Sequence, residues 1–499
     1  MQQKMVPEYD DLEKCRNHID SLLVNDGHTG LKETSYPSRS LDFLKRLESA
    51  PCSIENVPQS FFVPKECNKA PAEAKVKLKI IVVGAGLGGL ATAVALRRRG
   101  HDVSVFEKAS ELGEVGAGIQ VPPNSSRLLL KWGLGPYLQG KATEPEAIRI
   151  RRWRNGEMLS VVQLCPDFQR LYGAPYYVVH RANFQLSMYE LATNLGINIR
   201  VNARVKTYHQ GSPSITLENG ETHFADLIVA ADGVKSGARK VVLGGKDQPP
   251  QQREFAAYRA MVDTELMRND PELSWLLDIP GQNVWIGEER HVMSYSIAGG
   301  KSFNMVLAHP ESLDPSTWNQ KTVIEDMKKH FEGWDPCLVK LISMIEKTLK
   351  WPLLCGKPLD NWLSPSGHLL IIGDAAHAMV PYMSQGAAMA VEDGAALAEI
   401  LSLIDSPSDM RPALEVFQRH RILRTGQMQE ASLVHGRVWH FADGLEQEAR
   451  DAAMKFGMNG RCVKENPVQW GDPLTANWTY KYDAEAEIRN AWTEKQARK

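Results

Sequence analysis

A strand, a glycine-rich turn, a helix and a second strand follow one another without a break over residues 78–107. In a dinucleotide-binding unit, Gly84 would permit the tight turn, Gly86 the approach of backbone to a pyrophosphate, and Gly89 the packing of helix on strand. Glu107 ends the second strand, 21 residues after Gly86, where a carboxylate binds ribose hydroxyls. The stretch predicts a site for FAD or NAD, because this acid disfavours the 2′-phosphate of NADP.

Two later buried strands end in the same kind of turn. Residues 225–231 run into Asp232 and Gly233, and residues 368–372 run into Gly373 and Asp374. The carboxyl ends of parallel strands meet at one edge of a doubly wound sheet, so these turns are expected to surround a single extended ligand. Each Asp taken alone could equally be a helix cap.

Two more segments are candidates for ligand contacts. The loop from Pro381 through Gly386 to Ala387 opens a long helix of small residues, whose N–H groups could face an isoalloxazine ring. Arg181 stands near the start of another predicted helix. It could pair with a cofactor phosphate or be an ordinary surface arginine, and both interpretations stay open.

Composition excludes several classes of protein. The net charge of −2 over 499 residues argues against a nucleic-acid partner. The seven cysteines form no CxxC pair and no metal-spaced cluster, so reduced thiols and no metal are expected. No apolar run approaches the roughly 18 to 20 residues of a membrane span. The N-terminus resembles neither a signal peptide nor a transit peptide, so we expect a cytoplasmic protein. We expect the protein to be a monomer or a homodimer.

On these motifs the chain resembles the single-component (class A) flavoprotein aromatic hydroxylases, over about residues 78–445. The likeness is greatest to the salicylate hydroxylase-like monooxygenases of fungal secondary metabolism. The resemblance implies FAD as the cofactor and adds Gln120, in the loop beside the flavin. The FAD-binding residues that it implies are Gly84, Gly86, Gly89, Glu107, Gln120, Arg181, Asp232, Gly233, Asp374, Pro381, Gly386 and Ala387.

The resemblance also implies a fold and a domain order. It is an α/β fold with a Rossmann-like FAD-binding domain of the glutathione reductase type, an appended β-sheet substrate domain and C-terminal helices. Residues 77–250 and 355–445 would form the FAD-binding domain, and residues 251–354 the substrate domain. Residues 1–76 are expected to be a poorly ordered or loosely docked extension, and residues 446–499 a tail.

The implied reaction uses NAD(P)H and O₂. NAD(P)H reduces FAD, O₂ forms a flavin C4a-hydroperoxide, and one oxygen passes to an electron-rich aromatic, phenolic or polyketide-derived, with or without dearomatisation. Because a second strand–glycine–helix fingerprint is lacking in the sequence, the nicotinamide cofactor is expected to bind transiently. NADH and NADPH stay open.

The catalytic candidates lie in the predicted substrate sheet. A phenol reacts better as phenolate, so a cation or proton relay beside its oxygen would help. The resemblance to dearomatising fungal hydroxylases favours Arg259 and Tyr295 for this work, with Tyr258 as the rival tyrosine. Glu254 stands about where some salicylate-type hydroxylases carry a histidine, which speaks against a histidine base. An ordinary structural role in the sheet remains the alternative for these residues.

Three other functions remain open. An indole or alkaloid substrate would keep the fold and the chemistry. A flavin reductase or oxidase would consume NAD(P)H without oxygen insertion. A non-enzymatic FAD-fold binding protein, like the GDP-dissociation inhibitors, is disfavoured by the intact acids at Glu107, Asp232 and Asp374.

Overall fold

A computed structural model describes residues 72–113, 117–278, 280–319, 321–458 and 466–498. The extension predicted for residues 1–76 therefore lies outside the described residues except for its last five positions. There the backbone N–H of Ala74 donates to the carbonyl of Arg99 at 2.8 Å, and Ala74 is buried. The chain has thus entered the fold before its first strand.

A parallel sheet of five strands forms the centre of the cofactor domain. Three of its strands, Lys79–Val83, Leu227–Ala230 and Leu369–Ile371, are apolar and almost completely buried, as parallel strands covered by helices must be. Strand order is Leu369–Ile371, Leu227–Ala230, Lys79–Val83, Asp102–Phe106 and Asn198–Arg200. The predicted α/β fold is confirmed.

Helices cover this sheet and continue to the C-terminus. The helices Leu87–Arg98 and Gly386–Ser402 cross closely at Gly394. A Cβ on this glycine would lie 2.8 Å from the Cα of Thr92, so the close crossing requires glycine there. The α-helices are Leu87–Arg98, Pro123–Lys131, Gly135–Leu138, Asp167–Tyr172, Arg181–Asn194, Gly237–Val242, Thr264–Arg268, Trp275–Asp278, Val323–His330, Pro336–Ser343, Asp374–His377, Gly386–Ser402, Met410–Trp439, Leu445–Met458, Pro473–Tyr480 and Ala484–Ala497.

A second, seven-stranded sheet forms the other layer. Its strands are antiparallel except where Gln282–Gly287 pairs with Ala147–Arg152. The strand order is Thr348–Cys355, Gln251–Asp263, Ser302–Pro310, Arg290–Ile297, Gln282–Gly287, Ala147–Arg152 and Met158–Gln163.

The seven-stranded sheet also takes two strands from outside residues 251–354, the predicted substrate domain. Ala147–Arg152 and Met158–Gln163, which the sequence places in the FAD-binding part, pair into this sheet. Before its edge strand Thr348–Cys355, the chain forms two short helices, Val323–His330 and Pro336–Ser343. Gly333, at a φ of +75°, and the proline that opens the second helix separate the two helices, since neither favours a continuous helix there.

The two faces of the seven-stranded sheet have different neighbours. The outer face carries Tyr258 and Trp285 and is covered by the helices Val323–His330 and Pro336–Ser343. The inner face carries Met293 and Tyr295, and packs against methionines and tryptophans of the C-terminal half.

Two small antiparallel sheets complete the fold, and one of them lies against the inner face. This flavin-side sheet consists of Gly118–Val121, Tyr177–His180 and Ala142–Thr143. The N–H of Gly118 donates to Oδ1 of Asn304 at 2.6 Å and so ties the two sheets together. Within the described residues no helix combines the length and apolar content that a bilayer span requires.

Candidate active site

The ends of four parallel strands lie side by side at one edge of the central sheet. In spatial order they lead into Asp374, Asp232, Gly84 and Glu107. Neighbouring strands are about 4.8 Å apart, so about 14 Å separates the first strand end from the fourth. The structure therefore brings together the turns that the sequence singles out, along an edge long enough for an extended ligand.

The glycine turn has two glycines fixed by packing and one that faces open space. Gly84 has a φ of +104°, and a Cβ on it would lie 2.4 Å from the carbonyl oxygen of Ala231. A Cβ on Gly89 would lie 1.9 Å from the carbonyl oxygen of Gly84, whereas one on Gly86 would meet nothing within 4 Å. Helix Leu87–Arg98 begins at Gly86 without a side-chain cap. Its first N–H groups can therefore bind an anion such as a pyrophosphate.

Glu107 is anchored beneath this turn. One carboxylate oxygen accepts a hydrogen bond from the N–H of Ala85 at 2.7 Å and the other from that of Ala109 at 2.8 Å. A carboxylate has about four lone-pair sites, so each oxygen can still accept a hydroxyl. The geometry suits a residue that holds a ribose while it stabilises the turn.

Asp232 combines the two roles that the sequence left open. Its Oδ2 accepts from the N–H of Gly237 at 2.9 Å, in the first turn of Gly237–Val242, whose N-cap is Ser236, and from the hydroxyl of Tyr208 at 3.1 Å. Its Oδ1 is buried and has no hydrogen-bond partner in the described part of the chain. Gly233 follows at a φ of +81°. One oxygen therefore serves the fold and the other is free for a ligand.

Asp374 stands exposed at the first position of Asp374–His377. The turn before Asp374 is held by Asp393, a residue that was not predicted from the sequence. Its Oδ2 accepts from the N–H of Gly373 at 3.1 Å and lies 2.6 Å from Nε2 of His377, while its Oδ1 accepts from Arg421 at 2.8 Å. Burial favours a raised pKa, but His377 and Arg421 hold the pKa of Asp393 below its ordinary value. A lone acidic pair within a helix of small residues was the only available signal.

The predicted flavin loop consists of Pro381–Met383 and the start of Gly386–Ser402. Ser384 has a φ of +56°, and the helix begins without a side-chain cap. Pro381 is exposed, and Gly386 and Ala387 are half-buried, so the backbone here is open to a ligand. The 17-residue helix Gly386–Ser402 begins at this open backbone, so the positive end of its dipole faces the same place.

The glycine turn, the Asp374 turn and the flavin helix meet at Ala390. A Cβ on Gly88 would lie 2.9 Å from the Ala390 methyl, and one on Gly373 would lie 3.5 Å from it. Small residues at this contact bring the N-termini of two helices to one region. An uncapped phosphate-type turn, a free Asp232 oxygen and this loop fit FAD.

Arg181 and Gln120 connect the strand ends of the central sheet to the inner face of the seven-stranded sheet. Arg181 is the first residue of Arg181–Asn194, and its N–H donates to the carbonyl of Ala117 at 3.1 Å. Gln120 is buried, and its Oε1 accepts from the Tyr176 hydroxyl. Its Nε2 lies 2.8 Å from the sulfur of Met293 on the inner face.

Strand register separates the catalytic candidates. Arg259 pairs with Val306, which pairs with Met293, so Arg259 lies on the inner face as Tyr295 does. Tyr258 faces the other way, because successive side chains of a strand alternate. Its ring stacks on His309 at 4.5 Å on the outer face. The structure thus brings Arg259 and Tyr295 to one surface and corrects the alternative that Tyr258 replaces Tyr295 there.

Tyr295 is held close to the flavin-side sheet. A Cβ on Gly118 would lie 2.4 Å from its ring, so only glycine permits this contact. Burial raises the pKa of Tyr295, and the positive charge of Arg259 and the side chain of Gln120 lower it in part. Tyr295 is therefore a neutral hydrogen-bond donor at physiological pH. The guanidinium of Arg259 lies 5.9 Å from the ring centre of Trp351.

The comparisons with known proteins agree with this geometry. The family model described as FAD binding domain matches residues 77–406. The chain is 35% identical over 416 residues to FAD-dependent monooxygenase OpS4 of Beauveria bassiana (strain ARSEF 2860), covering 83% of this chain and 97% of that protein. This chain belongs to the FAD-dependent monooxygenases, within the aromatic hydroxylase family.

Two further similarities refine the comparison. The chain is 32% identical over 383 residues to a 3-hydroxybenzoate 6-hydroxylase of Polaromonas naphthalenivorans (strain CJ2), covering 76% of this chain and 92% of that enzyme. A salicylate hydroxylase substrate complex aligns with a TM-score of 0.68 at 25% identity, over 84% of this chain and 98% of that one. The predicted family, fold, enzyme class and FAD cofactor are confirmed.

Proposed function

We propose that this enzyme uses NAD(P)H and O₂ to hydroxylate an electron-rich phenolic or polyketide-derived aromatic in secondary-metabolite biosynthesis. The observation that carries the proposal is the inner face, where a cation, Arg259, and a buried neutral donor, Tyr295, share a surface beside the flavin-side sheet. The hydroxybenzoate relative named above supports a phenolic rather than an indole substrate.

FAD would be held along the sheet edge. Gly86 and the N-terminus of Leu87–Arg98 would take the pyrophosphate, Glu107 a ribose, and Asp374 a ribityl hydroxyl. The start of Gly386–Ser402 would face the isoalloxazine ring. When bound, FAD supplies electron transfer from the nicotinamide and the activation of O₂, chemistry that side chains lack.

The side chains would make the substrate a better nucleophile. Arg259 would bind the phenolate by charge-assisted hydrogen bonds, and so favour the ionised phenol. Tyr295 would donate to the same oxygen or an adjacent one. Burial strengthens both interactions, since electrostatic forces grow as water is excluded. Arg259 and Tyr295 are on different strands, so one aromatic ring could contact both.

Isotope labelling tests the proposal. The purified FAD-loaded enzyme would receive ¹⁸O₂, NADH or NADPH, and a panel including salicylate, 3-hydroxybenzoate, resorcinol and indole. We expect phenol-stimulated NAD(P)H oxidation and a product that carries one ¹⁸O atom by mass spectrometry. Hydrogen peroxide equal to the NAD(P)H consumed with every compound, without labelled product, would contradict hydroxylation.

Two substitutions separate the cofactor site from the substrate site. Asp374→Ala should lose the yellow cofactor, whereas Arg259→Ala should keep FAD and lose turnover by about 10²-fold or more. Arg268→Ala is the control, because this arginine is exposed and pairs only locally with Glu265 at 3.3 Å. A colourless Arg259→Ala protein would show that Arg259 belongs to the cofactor site and not to the substrate site.

A further inference from the structure

Three polar side chains stand in a row across the inner face. Gln282 pairs directly with Tyr295, and Tyr295 pairs directly with Asn304, on three adjacent strands. Residues that pair directly project from the same face of a sheet. Exposed fractions are 0% for Gln282, 2% for Tyr295 and 0% for Asn304. Only the central residue of this row was predicted from the sequence.

The two amides of the row have unused hydrogen-bonding groups. Neither Nε2 nor Oε1 of Gln282 has a hydrogen-bond partner, and neither has Nδ2 of Asn304, among the described residues. Oδ1 of Asn304 accepts from the N–H of Gly118, which fixes the orientation of that amide. A buried polar group without a hydrogen-bond partner is energetically costly, so such groups are rare in folded proteins.

The position of the row connects it to the reaction site. The side chains of Gln282 and Ser384 approach the Tyr176 hydroxyl and lower its pKa in part, against the larger effect of burial, which raises it. That approach falls outside good hydrogen-bond geometry for the Gln282 amide. Ser384 belongs to the predicted flavin loop, so the row lies on the face of the seven-stranded sheet that is turned toward this loop. Both amides project from the face that carries Arg259 and Tyr295, so a substrate bound by those two residues would lie beside them.

We propose that Gln282 and Asn304 determine substrate specificity by binding uncharged oxygen substituents of the aromatic on either side of Tyr295. This inference rests on the proposed function and adds the substrate class to it. Asn304 offers only a donor, so it fits a carbonyl or ether oxygen. Gln282 offers a donor and an acceptor, so it fits a hydroxyl or a carbonyl. Arg259 is left for the ionised oxygen.

The spacing of the row limits the shape of the substrate. Two strand spacings, about 10 Å, separate the backbone positions of Gln282 and Asn304. Both side chains reach inward, so the substrate would be a substituted or fused aromatic with oxygen substituents at two edges. A hydroxybenzoate, which carries a second charged group, would leave the two amides poorly matched.

Paired probes that differ only in a carbonyl group test the inference. The probes are 2,4-dihydroxyacetophenone with 4-ethylresorcinol, and 6-acetyl-2-naphthol with 6-ethyl-2-naphthol. Binding to the oxidised, FAD-loaded full chain is read from the change in flavin absorbance, without turnover. We expect the acetyl member of at least one pair to bind about tenfold more tightly, since the ethyl member leaves a buried amide unpaired.

Three variants locate this preference. Gln282→Met is close in shape and removes both amide groups, and Asn304→Asp keeps the acceptor that holds Gly118 but loses the free donor. At least one should reduce the preference to threefold or less. Ser294→Ala is the matched control, because its hydroxyl is also buried and unpartnered but projects from the outer face. It should keep the wild-type preference.

Thermal unfolding separates specificity from a structural role. Gln282→Met should retain FAD and its melting temperature, because the amide has no hydrogen-bond partner in the described part of the chain that the substitution would remove. Equal binding within both pairs by the wild-type enzyme, or no binding at all, would overturn the substrate class. An unchanged preference in both amide variants would overturn the residue assignment. If the enzyme forms peroxide without hydroxylated product but still binds the acetyl probe more tightly, only the proposed hydroxylation would be contradicted.

Discussion

Single residues at this site are constrained by different neighbours, although several are chemically alike. Gly84 and Gly89 meet protein backbone, whereas Gly86 faces open space. A methyl group at the first two positions would collide whether or not a ligand is present. At Gly86 the only possible collision is with a ligand.

This contrast gives a prediction for the glycine turn. Gly86→Ala should fold with a melting temperature close to wild type in the FAD-free form, but bind FAD at least tenfold more weakly. Gly89→Ala should fail to fold or lose several kcal/mol of stability, because its Cβ would lie 1.9 Å from the Gly84 carbonyl oxygen. Calorimetry of the FAD-free protein and FAD titration measure the two effects. Normal FAD affinity in Gly86→Ala would place the pyrophosphate elsewhere.

The two tyrosines give a second prediction at this scale. Tyr295→Phe should keep FAD but lower kcat by about 10²-fold or more, since it removes the donor beside the substrate oxygen. Tyr258→Phe removes a hydroxyl from a tyrosine that is also buried but lies on the outer face, where this hydroxyl has no hydrogen-bond partner among the described residues, and it should react at close to the wild-type rate. Single-turnover product formation would compare them. An equal loss in both variants would point to a structural effect.

At the scale of elements, the flavin loop is held by the longest helix. Tyr382 of Pro381–Met383 packs on Gly436 of Met410–Trp439, where a Cβ would lie 2.4 Å from the tyrosine ring. His291 of the seven-stranded sheet also contacts the Tyr382 ring, at 5.3 Å between ring centres. The loop thus depends on the spacing between a helix and a sheet that are distant in sequence.

Alanine substitutions along this helix test that dependence. Alanine normally stabilises an internal helical position by about 1 kcal/mol relative to glycine. Gly426→Ala should show this gain, because its Cβ would meet Pro358 at an ordinary 3.6 Å. Gly436→Ala should instead lower the melting temperature and weaken FAD binding by displacing Tyr382. A gain in both variants would show that the loop tolerates the shift.

Across the whole molecule, buried histidines join the layers. Nδ1 of His291 lies 2.9 Å from Nε2 of His440, and the ring of His435 packs on that of Trp439 at 4.5 Å. Burial lowers the pKa of His291 to about 3 and, with the charge of His291, that of His435 to about 3. Folding therefore keeps these rings neutral in the region where the seven-stranded sheet meets the long helix.

This burial predicts an acid-sensitive fold. Below pH 6.5 the histidines of the unfolded chain bind protons, whereas the buried rings of the folded chain stay neutral. The free energy of unfolding therefore decreases as the pH falls from about 6.5 towards 3. Each such histidine costs about 2 kcal/mol at pH 5 by this linkage. His435→Phe should flatten the fall in melting temperature between pH 7.5 and 5, since neither ring nitrogen has a hydrogen-bond partner within the ranges that the structure describes. His209→Gln, at an exposed position, should not. Parallel curves for both variants and the wild type would contradict this account.

The site was predictable where it depends on short-range pattern. Glycine spacing and apolar runs indicated the turn at Gly84 and the strands behind Glu107, Asp232 and Asp374. Other members were not predictable, because their role depends on distant partners. Asp393 acts through Gly373 and His377, and Gln282 is notable because its side-chain amide has no hydrogen-bond partner among the described residues.

The sequence by itself determined the parallel sheet and its turn for a dinucleotide, because steric freedom at glycine and the burial of β-branched runs are local properties, and the family resemblance then selected FAD. Tertiary structure alone decided which tyrosine shares a surface with Arg259, and which strands join the second sheet. A shift of a single residue in register moves every side chain to the opposite face. That register is set by pairing between strands far apart in the chain, so no local pattern encodes it.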